Sequence, residues 1–487
     1  MCREGAMSLP EAKPMNLHLQ QAPLNPETQH GQDALADAHR NRERVECRCR
    51  IPAPEMYIAA AAGKFIVKRM PGTGPDHAVD CASFLPPEEL SGLAHLKESA
   101  ITEDPVSGTT TLKLGFPMRK NSKARPAPEM TGGKAADARV APRKLTITSV
   151  LHFLWHEADL GKWYPAMEGK RYWGVVHYAL RRAAAATLVK GQDLSRILYV
   201  PEYFKPDSKS EIAARRRRIF ANLRPVGSGA TPFGLLIAEY KGMEPTAHGA
   251  RFTFKHTPDC SFFADKKLAK KFEKVFGDQL RLIEVIGKGH AIMIASFFIA
   301  KAGYPVLQEI GMMLVTENWI PFEGLRELDV QNTLSEQKRA FQKQMRFNLS
   351  GNAPIASAVL LDTSDPVALF VASDPDDADT LVSLKKTAEE GRYTSWCWFD
   401  DCPMRPFPKS GLPPSKGQSR QTKEAGVPAV PERAKAPIET SRGGQDKAPP
   451  RERDEGSAER AAGQDTGMGT DQQNPTTSPS SIPQKDT

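Results

Sequence analysis

VECRCRIPAPEMYIAAAAGKFIVKRMPGTGPDHAVDC, residues 45–81, gathers four residues with metal-binding chemistry in one short segment. Cys47-Arg48-Cys49 supplies one close pair, and His77-x-x-x-Cys81 the other. Structural zinc takes four soft or borderline ligands in a tetrahedron, usually supplied as such local pairs. Between the pairs, 56–61 and 64–69 read as short strands with a tight turn at Ala62-Gly63, so a hairpin would bring the second pair back to the first. Pro71-Gly72-Thr73-Gly74-Pro75 is a sharp loop leading into His77. Two Cys one residue apart point to opposite faces of an extended chain. Cys47 and Cys49 therefore share a metal only if the backbone bends there; otherwise they are packed thiols. With no fourth position left for a substrate, the site reads as structural zinc.

Outward from this segment, the aromatic residues bound the folded part. Positions 1–44 contain no Phe, Tyr or Trp, all six Trp lie between 155 and 398, and Phe407 is the only aromatic beyond 402. Both ends, 1–44 and 403–487, are expected to be disordered, because so few apolar groups cannot offset the entropy of ordering. No apolar run is long enough to span a bilayer, and the N-terminus has no apolar signal core. The expectation is a soluble, cytoplasmic protein with no membrane partner. Seven Cys in such a chain argue for thiols or metal rather than a disulfide framework. A net charge of +8 permits nucleic-acid contact without requiring it.

The expected fold is α+β and multidomain. Its parts are a zinc-binding hairpin module (45–120), a basic linker (121–144), a helical segment (145–225), a mixed α+β domain (226–402) and the two tails. In the helical segment, Ile147, Val150, Leu151, Leu154 and Ala158 share one face, and Trp173, Val176, Leu180, Ala183 and Thr187 share another. Helix, turn, basic helix and a short strand at 197–200 is the order of a winged-helix reader. Lys170, Arg171, Arg181 and Arg182, with Arg215, Arg216, Arg217 and Arg218 in a further helix at 209–221, are then candidate phosphate contacts. A plain helical bundle with solvated cationic faces fits the same pattern.

In the C-terminal domain, 232–240 and 250–256 read as paired strands, Asp265 as a helix cap, 280–286 as a buried strand, 325–347 as a helix, and 291–300 as strand or helix. Glu323 and Glu327 share a helix face, and Asp362 ends a strand. Carboxylates so placed can hold Mg²⁺ for phosphodiester hydrolysis, an order that resembles restriction-endonuclease-like enzymes. The strand at 367–371 lacks the Glu and Lys of that pattern, so such a fold would be inactive or would use another base. The alternative is a helix start whose acids suit its dipole.

Several segments resemble an uncharacterised bacterial family, domain-of-unknown-function family 1173. They are Cys47-x-Cys49, Met56-Tyr57-Ile58, Lys68 to Gly74 with His77 and Cys81, then 151–158 with Trp163 and Pro165, 174–180, and Tyr199-Val200-Pro201-Glu202. The most specific are 295–307 and Thr316-Glu317-Asn318-Trp319-Ile320-Pro321-Phe322-Glu323. The resemblance covers about 45–402. It implies N-terminal cysteines and a setting on plasmids and integrated mobile elements, with no established activity. The resulting expectation is a zinc protein that binds DNA or another mobile-element protein during maintenance or transfer of the element. The alternatives are a divergent Mg²⁺-dependent nuclease and a structural adaptor.

Overall fold

A computed structural model describes residues 15–61, 63–120, 144–224, 230–349, 353, 355–363, 365–372, 378–399 and 402–411. Residues 121–143 of the expected linker at 121–144, and the tail beyond 411, lie outside the described residues. The fold is α+β, built on several sheets with separate apolar cores.

The first sheet is antiparallel and runs β2 (Ala22–Pro23), β1 (Leu17–Leu19), β3 (Val45–Cys47), β4 (Glu55–Ala61), β5 (Lys64–Arg69). The expected hairpin is β4–β5, with Ala61 opposite Lys64 and Gly63 at φ 77°, a left-handed conformation that glycine adopts without strain. The N-terminal segment departs from expectation. From residue 15 it contributes β1, β2 and helix α1 (Gln29–Asn41), capped by the Thr28 hydroxyl, which accepts from the Gly31 N–H at 3.0 Å. Leu35 and Ala38 of α1 are buried against the hairpin. The Gln32 side chain donates to the Phe65 carbonyl and accepts from its N–H, at 2.9 and 2.8 Å, covering the edge of β5. Aliphatic residues and an amide suffice here without aromatics.

The central sheet closes on itself. Gly234–Thr246 pairs with Gly249–Phe254, which pairs with Phe262–Asp265, then Pro305–Val315, His290–Ile299 and back to Gly234–Thr246. The long first strand bends at a bulge between Tyr240 and Gly242; its first half pairs with His290–Ile299 and its second with Gly249–Phe254. The segment 291–300, ambiguous in sequence, is a strand flanked on both edges, and its apolar run reflects burial on both faces. The helix Lys266–Ile286 connects the third and fourth barrel strands and ends at Gly287, φ 67°. It absorbs 280–286, expected as a strand, because the apolar residues there continue the helical period. Helix Ile147–Glu157 also packs on the barrel; a Cβ on Gly311 would meet the Thr148 hydroxyl at 2.5 Å.

A further sheet orders Thr394–Phe399, Val367–Ala372, Ala358–Leu360, Phe341–Lys343 and Lys162–Trp163. The helix expected over 325–347 therefore stops at Glu336, and 341–343 is a strand. The central segment is helical, as expected. A hairpin of Thr187–Val189 and Gln192–Asp193 follows helix Trp173–Ala185 in the place of a wing. The segment is not self-contained, however: Lys162–Trp163 extends a sheet made by residues beyond 340, and Thr187–Val189 also pairs with Thr109–Leu112. The expected disorder from 403 is also corrected as far as 411. Met404 and Phe407 pack on the last sheet, and the Ser410 hydroxyl and the Gly411 N–H donate to the Asp362 carbonyl.

Candidate metal centre and cationic surfaces

The metal site is assembled by the turn after β3. β3 ends at Cys47, and a turn at Arg48–Cys49 swings the second thiol to the same side as the first. The Cys47 N–H donates to the Pro54 carbonyl and the Arg48 N–H to the Asn16 carbonyl, so the residues just before β1 and β4 hold the bend. His77 follows the 3₁₀ turn Gly74–Asp76, and Cys81 closes a turn on Ala78. Gly74 is obligatory, since a Cβ there would meet Leu85 Cβ at 2.6 Å.

The four ligand atoms all lie within 4.8 Å of one another. Cys47 Sγ and Cys81 Sγ are 3.7 Å apart, and His77 Nδ1 is 3.5 Å from Cys49 Sγ and 3.9 Å from Cys81 Sγ. In a zinc tetrahedron with Zn–S of about 2.3 Å and Zn–N of about 2.0 Å, sulfurs stand about 3.8 Å apart and sulfur and nitrogen about 3.5 Å. The separations fit the ion, and all the cysteines among the described residues are free. Cys47, His77 and Cys81 are buried and Cys49 is half-buried. The N–H groups of Ala78 and Ser83 point at Cys49 Sγ and Cys81 Sγ, at 3.3 and 3.4 Å, as thiolate ligands require. The hydrogen bond from Cys47, opposed by burial and aided by His77, brings the Cys81 thiol down to about 4, and Cys47 is raised in return. Four converging protein ligands would leave a tetrahedral ion no open position.

The Mg²⁺ candidates are not brought together as a metal group. Glu323 pairs with Arg346 at 2.7 Å, and Glu327 with Lys343 at 2.7 Å. Asp362 receives both Nε and Nη2 of Arg339, at 2.6 and 2.7 Å, and the Ala340 N–H at 3.2 Å. Burial pushes the Glu323 carboxyl up, but Lys343 and Arg346 outweigh it and hold it below the usual range. At Glu327 burial wins, and its carboxyl is raised.

The nucleic-acid candidates divide. Arg171 is buried and donates to the carbonyls of Leu160 and Asn318, at 3.0 and 3.2 Å, and to that of Lys162. Arg215 lies on Glu202 at 2.7 Å, and Arg216 grips Asp259 with two bonds of 3.0 and 2.8 Å. These three arginines hold the chain together. Lys170, Arg181, Arg182, Arg217 and Arg218 are exposed, with no ion-pair partner among the described residues.

Two surfaces escaped the sequence reading. Lys266, Lys267, Lys270, Lys271 and Lys274 are exposed on the barrel helix, again with no ion pair among the described residues. Cations in the first turn oppose the helix dipole, so helix stability does not explain them. Their spacing on one helix was the available signal. The second surface is on the barrel wall. Arg251 and Phe263 are cross-strand neighbours on the outer side of the second and third strands, and Tyr304 meets Phe263 edge-on at 5.2 Å. Nothing local in the sequence foretells that meeting.

A family model described as "Protein of unknown function (DUF1173)" matches residues 18–400, and the chain belongs to that family. No curated protein and no solved structure matches the chain. Among the described residues, no helix is long and apolar enough to cross a membrane.

Proposed function

We propose that this is a zinc-stabilised binder of single-stranded nucleic acid that serves the maintenance or transfer of a bacterial mobile element. The observation that carries the reading is the barrel wall. A closed ring of five strands with a helix between the third and fourth has the connectivity of the OB barrel, whose second and third strands and adjoining loops take oligonucleotides. That is a likeness of architecture, and architecture alone does not assign function. The residues supply the chemistry: Phe263 and half-exposed Tyr304 for base stacking, Arg251 and Lys301 for the backbone. The unpaired lysines of Lys266–Ile286, with Arg217 and Arg218, add a sequence-independent attraction for phosphate. Zinc organises the N-terminal sheet and takes no part in binding. The nuclease reading has no support of this kind, because each of its carboxylates already faces a cation.

The test is a titration of the full chain with a labelled single-stranded oligonucleotide at several salt concentrations. Affinity should fall linearly on a log–log plot against salt. The Phe263→Ala/Tyr304→Ala variant should bind about tenfold or more weakly. Equal affinity of that variant and the wild type, or binding indifferent to salt, would reject the proposal.

A further inference from the structure

A groove of about 550 Å³ lies away from the metal centre, among the N-terminus of helix Trp173–Ala185, the chain after Gly249–Phe254 and the turn into His290–Ile299. At its base Glu239, 3 % exposed, accepts from His290 Nδ1 at 2.6 Å and from the Lys255 ammonium. Burial pushes the Glu239 carboxyl up, but the His290 and Lys255 hydrogen bonds outweigh it and keep it ionised. With Nδ1 committed to the carboxylate, Nε2 is the ring nitrogen left over, and it meets no hydrogen-bond partner among the described residues. The imidazole is held flat on Trp319, with ring centroids 4.1 Å apart and planes 11° apart.

Trp319 (φ 61°) and His256 (φ 67°) are left-handed, which bulky side chains seldom adopt. The surroundings enforce both conformations. The Thr316 hydroxyl accepts from the N–H groups of Asn318 and Ile320, Trp155 Nε1 donates to the Trp319 carbonyl, and Arg171 donates to Asn318. His256 is stacked on Trp173 and touched by Tyr203 at 5.0 Å. Bulky residues locked in left-handed backbone mark sites where geometry outranks stability. The turn Gly287-Lys288-Gly289 completes the rim, with both glycines at positive φ; a Cβ on Gly289 would meet the Val315 carbonyl at 2.5 Å. The Gly287 N–H is taken by the Ile283 carbonyl at the end of the helix, so what the turn offers an anion is Lys288, exposed and with no ion-pair partner among the described residues.

We propose that this groove binds a nucleobase carrying a 5′-phosphate. The phosphate pairs with the Lys288 ammonium at the rim. The base lies against half-exposed Tyr203 and His256, and His290 Nε2 accepts a hydrogen bond from a base or sugar donor. Flat aromatic walls, a cationic turn and one oriented acceptor select a planar, anionic, donor-bearing ligand. The site is independent of the barrel wall and does not rest on the reading proposed for it.

The experiment is calorimetric titration of the full chain with purine and pyrimidine mononucleotides and, as a separate arm, with a short 5′-phosphorylated single strand. Intrinsic tryptophan fluorescence provides the second readout. Saturable binding is expected. Tyr203→Ala and Lys288→Ala, both at exposed positions, should each weaken it about tenfold, while Phe263→Ala/Tyr304→Ala leaves mononucleotide binding unchanged. Binding confined to the phosphorylated strand, and lost in the same two groove variants, would assign the ligand to a strand end. No saturable binding in either arm, or wild-type affinity in both groove variants, would overturn the proposal. So would loss of mononucleotide binding in the barrel-wall variant.

Discussion

Two sets of metal-competent side chains met different fates in this chain. Cys47, Cys49, His77 and Cys81 converge on one another, with no charged side chain paired to them among the described residues. Glu323, Glu327 and Asp362 each face a cation, Arg346, Lys343 and Arg339 respectively. The difference lies in what each group can accept as a partner. A buried thiol has few uses besides packing, another thiol or a metal. A carboxylate is satisfied equally well by a guanidinium or an ammonium, and this sequence has 66 Lys and Arg from which to supply one. Four clustered soft ligands therefore speak more specifically than three acids at suggestive spacing.

The comparison breaks most visibly at the metal. The full chain should carry about one zinc, and Cys81→Ser should leave less than half an equivalent by elemental analysis. Binding at such sites is worth on the order of 10 kcal/mol. Chelation should therefore open the first sheet, and limited proteolysis should then cut within residues 15–85 before the barrel. Zinc content that Cys81→Ser leaves intact would place the metal elsewhere.

A smaller effect is expected at the carboxylates. Arg339→Met leaves Asp362 buried without its cation and should cost about 3–5 kcal/mol in urea unfolding. Arg339→Met/Asp362→Asn should recover most of that loss, and neither variant should change zinc content. A cost under about 1 kcal/mol for Arg339→Met would show that Asp362 does not depend on the pair.

The smallest effect separates the histidines of the two regions. His77 points at the thiols, whereas His152 lies near Glu323 and its Nδ1 accepts from the Phe347 N–H at 3.0 Å. Burial holds His152 down at about 4, below its ordinary 6.5. The unfolded chain therefore takes up this proton first as pH falls. Stability contributed by the neutral ring is fully present above about pH 6.5 and declines towards pH 4. In His152→Gln the loss across that window should be shallower by about 1–2 kcal/mol, as followed by urea unfolding at each pH. An unchanged slope would mean that His152 is not buried neutral.

The hairpin β4–β5, the cap at Asp265 and the apolar faces of the two central helices were legible because each depends on neighbours a few residues away. Misreadings arose where distant partners decided. Residues 17–41 looked too poor in aromatics to fold, yet they cover β4 and β5 with Leu35, Ala38 and the Gln32 amide. Residues 341–343 continued a helical pattern, yet they pair with Trp163 and Leu360 from either side. Arg171, Arg215 and Arg216 read as a charged face, yet carbonyls, Glu202 and Asp259 consume them.

By itself the sequence picked out the four candidate metal ligands, the α+β class and the family, because residue type, period and motif are local properties of the chain. Only the tertiary structure decided that the Cys47–Cys49 bend brings the four candidate ligands together, that five strands close into a ring, and that Glu239, His290, Trp319 and His256 share one groove. Each of these depends on contacts between residues far apart in sequence, formed when burying apolar surface repays the ordering of the chain between them.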